Sequence, residues 1–316
     1  MRRRSFPCDA LEVWIDGMRT VIFGLARSGT TALFYKIKNS YPPDTICLFE
    51  PQEFDARTIR SKKSRAFLSW KREPNVLAKV LPFRPGRPAN VDGFSDFEKQ
   101  ILLVRDSRDR LISRLLYGVL GSNFWDSDSK LGLFIEKLKQ KEFDPKSVQL
   151  KTIVKTFADL NGESFSFDGW FASYRYHSIE NPLAFHDART GLLVFRYEEM
   201  IDKRFGGLEE YLGLSLRGEA SVAATEAHVS RTKGYGNWRD WFTAEDIEYF
   251  RPLLQPILDR YYSRADWDLN ATPAILSEHS SRYIVRIVNE KRALMNCPPY
   301  FPPHLGFDPA RNLHSL

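Results

Sequence analysis

Residues 20–33 read TVIFGLARSGTTAL. Four apolar or β-branched residues end at Gly24, as in a buried strand, and a short loop of small residues then leads into apolar residues at helical spacing. In such a strand–loop–helix unit, glycine lets the backbone approach an anion, and the free N–H groups at the helix start point toward it. The stretch therefore predicts a cradle for a phosphate-like group.

The loop departs from the common nucleotide-binding pattern at one position. Phosphate-binding loops of nucleoside triphosphatases read G-x-x-x-x-G-K-[ST]. Gly24 and Gly29 have this spacing, but Thr30 stands where the lysine is required, and the only cation in the loop is Arg27. We therefore expect a phosphate-like ligand other than the β and γ phosphates of magnesium-bound ATP.

Residues 27–31, RSGTT, resemble the 5′-phosphosulfate loop of the sulfotransferases, where that family has [KR]-S-G-[TS]-[TS]. The resemblance implies that 3′-phosphoadenosine 5′-phosphosulfate is the sulfuryl donor. A sulfuryl group carries a single negative charge, so its transfer needs no metal to offset phosphate repulsion, and we expect none. The donor contacts implied for this loop are Arg27, Ser28, Gly29, Thr30 and Thr31.

A second motif, LLVRDSRDRLIS at residues 102–113, is similar to the 3′-phosphate segment of the family. That segment is a strand ending in R-[ND]-P-[RK]-D, with a serine eight residues after the first arginine. Arg105 and Ser113 match the arginine and the serine, whereas Ser107 replaces the proline. An arginine at a strand end can bind a phosphate through two hydrogen bonds, and a serine two helical turns later supplies a hydroxyl. The alternative is a charged helix start capped by Asp109.

A third motif, RTKGYGNWR at residues 231–239, looks like the family loop R-K-G-x-x-G-[DN]-W-[KR]. In the resemblance Arg231 contacts the 3′-phosphate. Thr232 and Lys233 stand where the family has lysine and glycine, so Lys233 and Gly234 fill those roles only if the loop shifts by one residue. The alternative is a surface loop that carries a buried tryptophan.

A weaker resemblance covers residues 194–200, VFRYEEM. The family has a strand there that ends in a tyrosine near the adenine, followed by an acidic pair. Tyr197 matches that tyrosine. It is equally well explained as an aromatic core residue at the end of a strand.

Transfer to a hydroxyl requires a general base. Cytosolic sulfotransferases use the histidine of a K-T-H-L-P segment, but Val80 occupies that position here. Carbohydrate-type members have a glutamate before a proline after the second strand, which Glu50 matches. We predict Glu50 as the base, Lys79 as the residue that holds it or polarises the bridging oxygen, and Arg27 as the stabiliser of the leaving phosphate.

Each of these assignments has an alternative. Glu50 could simply pair with a nearby arginine, and Lys79 could be a solvated lysine at a strand end. His177 and His228 are secondary candidates for the base, although a structural role explains each of them more readily.

The order of elements predicts an α/β fold. Apolar strands alternate with helical segments, which implies a P-loop-type, mostly parallel sheet with helices on both faces and polar residues at the carboxyl ends of the strands. We expect a single domain over residues 1–316, with an aromatic-rich helical and loop insert at about 121–190 over the substrate side and a helical, proline-rich extension at about 264–316. The sequence predicts strands at residues 20–24, 45–49, 75–82, 101–104 and 191–197, and helices at residues 31–39, 55–74, 111–120, 205–213, 243–262 and 276–295.

Amino-acid composition limits the kinds of ligand and the cellular location that we expect for the protein. The net charge of +6 suits an anionic cofactor or an acidic substrate, but no nucleic-acid recognition motif accompanies it. No stretch approaches the roughly 20 apolar residues that span a bilayer. The three cysteines are far apart and lack the spacing of metal ligands, so we expect a reducing, cytoplasmic location. The oligomeric state is left open.

Together these patterns predict a sulfotransferase that moves a sulfuryl group from 3′-phosphoadenosine 5′-phosphosulfate to a hydroxyl acceptor. Glu50 favours a carbohydrate acceptor, and the basic stretch 57–72 and the aromatic insert suit either a sugar or an anionic glycan. Two alternatives are a P-loop kinase or hydrolase, and a sulfotransferase-like protein that binds a nucleotide or polyanion without turnover.

Overall fold

The computed structural model describes residues 18–54, 75–86, 88–162, 166–217 and 231–301. Its centre is a parallel sheet of five strands in the order β2-β3-β1-β4-β5. The strands are β1 (Arg19–Gly24), β2 (Ile46–Phe49), β3 (Val76–Val80), β4 (Lys99–Val104) and β5 (Leu193–Arg196). Residues 1–17, the helix predicted at 55–74 with its basic stretch 57–72, and His228 lie outside the described residues.

Helices connect the strands and cover both faces of the sheet, which confirms the predicted α/β fold. They are α1 (Thr30–Lys38), α2 (Ser107–Gly118), α3 (Asp128–Phe143), α4 (Leu150–Asn161), α5 (Phe167–Arg175), α6 (Asn181–Asp187), α7 (Tyr197–Ile201), α8 (Gly206–Leu212), α9 (Trp238–Trp241), α10 (Ala244–Tyr261) and α11 (Ser281–Leu294). A π-helical turn, Tyr176–Glu180, joins α5 to α6. None of the described helices is both long and apolar enough to cross a membrane.

The two faces of the sheet belong to two separate apolar clusters. Val21 and Phe23 pack into one cluster, whereas Ile22 between them packs into the other. This follows from the two-residue period of a strand, and it explains why a sheet buried on both faces reads as a continuous apolar run. Helices α1 and α8 cover the smaller cluster; α2, α4, α10 and α11 contribute to the larger.

The insert and the C-terminal helix join the larger cluster. Phe134 of α3 and Phe157 of α4 pack in the same apolar cluster as Phe23 of the central strand and Ile287 of α11. The C-terminal helix therefore shares a core with the sheet, and its first turn is carried to the neighbourhood of the glycine loop.

Two element boundaries differ from the prediction because of capping. Helix α2 begins at Ser107 rather than at 111, since the Asp106 carboxylate accepts the backbone N–H of Arg108 at 2.9 Å. Strand β5 ends at Arg196, and Tyr197 is already the first residue of α7. The Glu199 carboxylate accepts the backbone N–H of Arg196 at 3.1 Å and so closes the helix start.

Candidate active site

The glycine loop lies between β1 and α1, at the carboxyl end of the central strand. Gly29 has φ of 91°, and a Cβ placed there would lie 2.5 Å from Cδ2 of Tyr197, so only glycine fits. Arg27 also has a positive φ, 74°, as does Glu50 with 50°. Left-handed backbone is uncommon outside glycine and concentrates at functional sites. Two of the three predicted catalytic residues thus share an unusual backbone conformation.

Arg27 is held by residues from distant parts of the chain. Its Nε donates to Oγ of Ser113 at 3.2 Å, and its Nη2 donates to the hydroxyl of Tyr283 at 3.5 Å. The guanidinium lies 4.3 Å from the ring centroid of Tyr117. Burial lowers the pKa of Arg27, against the opposing effect of Tyr283 and Tyr117 and with a smaller contribution from the positive charge of Arg105. The loop cation is therefore fixed in place rather than solvated.

Arg105 directly follows β4 and connects three parts of the site. Its Nη1 donates to the backbone carbonyl of Arg27 at 3.2 Å, and its Nη2 donates to the carbonyl of Gly234 at 3.5 Å. The guanidinium lies 4.3 Å from the ring centroid of Tyr197. The arginine predicted for the 3′-phosphate thus sits beside the glycine loop.

Arg231 reaches the same place from the loop before α9. Its Nη1 donates to the backbone carbonyl of His279 at 3.1 Å, just ahead of α11. Burial, followed by the positive charge of Arg105, lowers the pKa of Arg231 to about 10, and Arg27 adds to this while the Asp109 carboxylate opposes it. Electrostatic repulsion therefore acts among Arg27, Arg105 and Arg231, although 78 and 126 residues separate them in the sequence.

Several polar atoms of this cluster lack a hydrogen-bond partner among the described residues. They are Nε of Arg105, Nε and Nη2 of Arg231, and Oγ of Ser28. Arg105 and Arg231 are each only 8% exposed, and Ser28 is fully buried. Native proteins rarely leave buried donors unsatisfied, and each such group asks for an explanation. A cluster of positive charges with buried donors that lack acceptors is typical of a site that binds an anion.

Asp109 is the carboxylate that offsets part of this charge. It is fully buried, its Oδ2 accepts the backbone N–H of Gly236 at 2.5 Å, and its Oδ1 accepts that of Trp238 at 3.0 Å. Burial raises the pKa of Asp109, whereas the charge of Arg105 lowers it. Its oxygens fix the loop that carries Arg231, and α2 is capped by Asp106 instead, so the alternative of Asp109 as the helix cap is wrong.

A second cluster lies at the ends of β2 and β3. The Nζ atom of Lys79, which is 2% exposed, donates to Oε1 of Glu50 at 2.7 Å and to Oγ1 of Thr31 at 2.8 Å. The other oxygen of Glu50 lies 3.6 Å from Arg84, and the Glu50 side chain keeps 31% of its surface exposed. Adjacent parallel strands bring Glu50 and Lys79 together, because Phe49 pairs with Lys79 in register. The predicted base is thus held by the predicted lysine next to the glycine loop.

A cleft of about 760 Å³ opens on this side of the loop. Its walls include the loop, Glu50 and Lys79 on one side and residues of α2 and of the insert on another. Aromatic residues of the insert that line the cleft are Trp170 and Tyr174, and His177 lies beside them. The insert therefore covers this side of the sheet, and the cleft has the size and lining of a small-molecule site.

The remaining predicted donor residues take less uniform positions. Thr30 is buried in the loop, and Gly234 contributes its carbonyl to Arg105. Tyr197 is buried with Arg105 on its ring and Gly29 against its edge. Lys233 is exposed on the loop and makes no hydrogen bond to a described residue.

Four site residues were not singled out from the sequence. Arg110 and Arg114 line the cleft from α2, and their separation of four residues, about one helical turn, was a usable signal. His279 and Tyr283 hold Arg231 and Arg27, but they come from the C-terminal extension. No local pattern points to them. Among the described residues no group of three or more His, Cys, Asp or Glu side chains is arranged to hold a metal ion.

Comparison with known proteins gives a similarity of fold. No protein-family model matches the chain, and neither does any curated protein. Among solved structures, a mouse sulfotransferase, SULT7A1, complexed with PAP, is similar over 78% of this chain and 88% of that chain, with 14% sequence identity and a TM-score of 0.42.

Proposed function

We propose that the protein transfers a sulfuryl group from 3′-phosphoadenosine 5′-phosphosulfate to a hydroxyl acceptor. The observation that carries the proposal is the cluster of Arg27, Arg105 and Arg231 at the glycine loop, with buried donors that no described residue accepts. A second anion beyond the one in the loop explains why arginines from two other segments are gathered there. A nucleotide with phosphates at both its 5′ and 3′ positions meets that requirement.

The available atoms fit such a donor. The 3′-phosphate would take the unused Nε and Nη2 of Arg231 and Nε of Arg105, since guanidinium forks match phosphate oxygens. The 5′ end would take the loop N–H groups, Ser28, Thr30, Thr31 and Arg27. Lys233, though exposed, belongs to the same loop as Arg231 and is included in the proposed donor contacts with Gly234, Ser113 and Tyr197.

The chemistry assigned to the chain is positioning and charge stabilisation. The donor supplies a sulfuryl group whose bond to the phosphate oxygen breaks as the acceptor oxygen bonds to sulfur. Glu50 accepts the proton of the acceptor hydroxyl, and Lys79 holds the Glu50 carboxylate toward the cleft. Arg27 and the loop N–H groups stabilise the negative charge left on the phosphate.

The acceptor class and the location belong to the same proposal. A glutamate base at this strand end is the pattern of carbohydrate-type sulfotransferases, so we infer a sugar hydroxyl as the acceptor. Aromatic residues such as Trp170 in the cleft suit the apolar face of a sugar ring. A cytoplasmic location is proposed on composition alone.

Titration calorimetry tests the donor site. Adenosine 3′,5′-bisphosphate and adenosine 5′-monophosphate differ only in the 3′-phosphate, and ADP represents the kinase alternative. We expect the bisphosphate to bind roughly 100-fold more tightly than either, because it makes two further charge-assisted hydrogen bonds. Arg231→Met should remove most of this preference. Arg260→Met, which deletes an arginine that is 46% exposed and pairs with Asp187, is the matched control and should retain it.

The same titrations discriminate among the alternatives. Equal affinity for the bisphosphate and the monophosphate refutes the 3′-phosphate site. Tighter binding of ADP favours a P-loop kinase or hydrolase. Tight binding of the bisphosphate without any sulfuryl transfer to sugar hydroxyls favours a non-catalytic binding protein.

A further inference from the structure

Helix α2 presents polar residues to two different places. Asp109 and Ser113, four residues apart, face the arginine cluster: Asp109 binds the loop before α9, and Ser113 binds Arg27. Arg110 and Arg114, also four residues apart, line the cleft. Residues at this spacing share one face of a helix. The proposed donor site accounts for Asp109 and Ser113, but it gives no role to Arg110 and Arg114.

Arg110 is a buried arginine in a fixed position and not a charge on the protein surface. It is 2% exposed, and its Nη1 donates to the backbone carbonyl of Ala26 at 3.3 Å. Its guanidinium lies 5.2 Å from the ring centroid of Tyr174. Both Nη2 of Arg110 and the hydroxyl of Tyr174 are buried, and neither makes a hydrogen bond within 3.5 Å to a described residue. The two groups interact with each other, since the charge of Arg110 opposes the larger effect of burial, which raises the pKa of Tyr174. Buried polar groups with hydrogen-bonding capacity left over favour a bound acceptor.

Arg114 adds a second positive charge one turn along. It lines the cleft, is half-buried, and forms no ion pair with a described residue. Burial lowers the pKa of Arg114, and the positive charge of Arg110 lowers it further, followed by smaller effects of Arg27 and Arg84. These cations therefore crowd one region, and no carboxylate of the described residues forms an ion pair with Arg110 or Arg114.

The one carboxylate in the described lining of the cleft is already paired. Glu50 binds Lys79 at 2.7 Å and lies 3.6 Å from Arg84. The 3′-phosphate is assigned to Arg105 and Arg231, neither of which lines the cleft, and the 5′ end is assigned to the glycine loop, which forms one wall of it. The unpaired charge of Arg110 and Arg114 thus faces the space left for the acceptor.

We propose that Arg110, Arg114 and Tyr174 form an oxyanion-binding subsite for the acceptor, so that the acceptor carries a carboxylate or similar oxyanion beside the hydroxyl that is sulfated. The inference rests on the proposed function and names the class of acceptor. Arginine at this point selects planar oxyanions, because its fork donates two parallel hydrogen bonds. The Tyr174 hydroxyl supplies a third donor.

The test uses two sugars that differ in one group. 4-Nitrophenyl β-D-glucuronide and 4-nitrophenyl β-D-glucoside share an aromatic ring and sugar hydroxyls, but only the glucuronide has a carboxylate. Each is titrated into the full-length protein saturated with adenosine 3′,5′-bisphosphate. We expect the glucuronide to bind at least about 10-fold more tightly, the effect of one or two hydrogen bonds to a charged group.

Variants of the half-buried Arg114 keep the test independent of folding. Arg114→Gln should reduce the preference for the glucuronide to about twofold, and Arg114→Lys, which keeps the charge, should retain part of it. Tyr174→Phe should weaken glucuronide binding and leave glucoside binding unchanged. The affinity for the bisphosphate should stay within about twofold in all three variants, since their side chains do not touch the donor cluster.

Failure of this inference is separable from failure of the proposed function. Equal affinities for the two sugars, including no binding of either at millimolar concentration, overturn the subsite even when the bisphosphate binds tightly. A preference for the glucuronide that persists in Arg114→Gln also overturns it. A protein that does not bind the bisphosphate but prefers the glucuronide in an Arg114-dependent way retains the subsite and loses the donor assignment.

Discussion

Two buried arginines, Arg108 of α2 and Arg231 of the loop before α9, differ in how many of their hydrogen-bond donors have partners within the protein. Arg108 is 3% exposed; its Nε and Nη2 donate to the two oxygens of Asp106 at 3.0 and 2.6 Å, its Nη1 donates to the carbonyl of Asp266, and its guanidinium lies 3.8 Å from the ring centroid of Trp238. Arg231 is 8% exposed, and its Nε and Nη2 have no described partner.

The difference separates a structural arginine from a binding one. Burial is almost the same for both, so burial by itself says nothing about role. What differs is whether the donors are used within the protein, because an unmade hydrogen bond in a buried position costs free energy that only a ligand recovers. The comparison indicates a stabilising role for Arg108 and supports the proposed binding role of Arg231.

The largest effect, on the free energy of unfolding, is expected when the ion pair between Arg108 and Asp106 is removed. Arg108→Met leaves the Asp106 carboxylate buried and unpaired, and it should lower the free energy of unfolding by about 3–5 kcal/mol. Arg231→Met removes a buried charge with unmade hydrogen bonds and should leave that free energy unchanged or raise it. Urea denaturation of both variants and the wild type measures the contrast.

The double variant Arg108→Met/Asp106→Ser serves as the control. It removes both charges while serine keeps a cap for α2, so part of the lost stability should return. The comparison between the two arginines is wrong if Arg231→Met destabilises the protein as much as Arg108→Met does.

Glu50 extends the comparison to a residue that is paired within the protein, with Lys79, and is nevertheless proposed to act in catalysis. Glu50→Gln should lower turnover by roughly 100-fold, the typical effect of losing a general base, while bisphosphate affinity stays the same. Lys79 keeps a hydrogen-bond acceptor in this variant, so the folded structure is retained. Single-turnover transfer of radiolabelled sulfate measures the rate.

Unaltered turnover in Glu50→Gln would assign Glu50 to the structural class together with Asp106. His177, which lines the cleft, would then be the next candidate for the base.

The smallest effect concerns the pH dependence of donor binding. The pKa of Arg231 is lowered to about 10 in the free protein, and a bound phosphate favours the charged form. Affinity for the bisphosphate should therefore be insensitive to this group below about pH 9 and fall as pH rises through 10, approaching tenfold per pH unit, with uptake of a proton on binding. Calorimetry in buffers of different ionisation enthalpy measures that uptake.

Lysines and tyrosines also titrate in this range, so the informative quantity is the difference between variants. The uptake seen in the wild type and in Arg260→Met should be larger than that in Arg231→Met. An identical uptake in all three would mean that Arg231 does not contact the bound nucleotide.

Much of the fold was predictable because its signals are local. The run of apolar residues ending at Gly24, together with the strands that Glu50 and Arg105 directly follow, predicted a parallel sheet with polar residues at one edge, and the sheet has that arrangement. Helix boundaries near Asp106 and Tyr197 were less accurate, since side-chain capping moved them by one to four residues.

From the sequence alone, the resemblance of three motifs to those of the sulfotransferases made Arg27, Arg105 and Arg231 candidates for one pocket that binds a doubly phosphorylated nucleotide. Which donors remain unused was decided only by the tertiary structure. Arg231 is held by a carbonyl 48 residues away and Arg27 by a hydroxyl 256 residues away, whereas Arg108 finds its carboxylate two residues away. Partners so distant in the chain leave no periodic trace in the sequence, because hydrogen bonding depends on proximity in space.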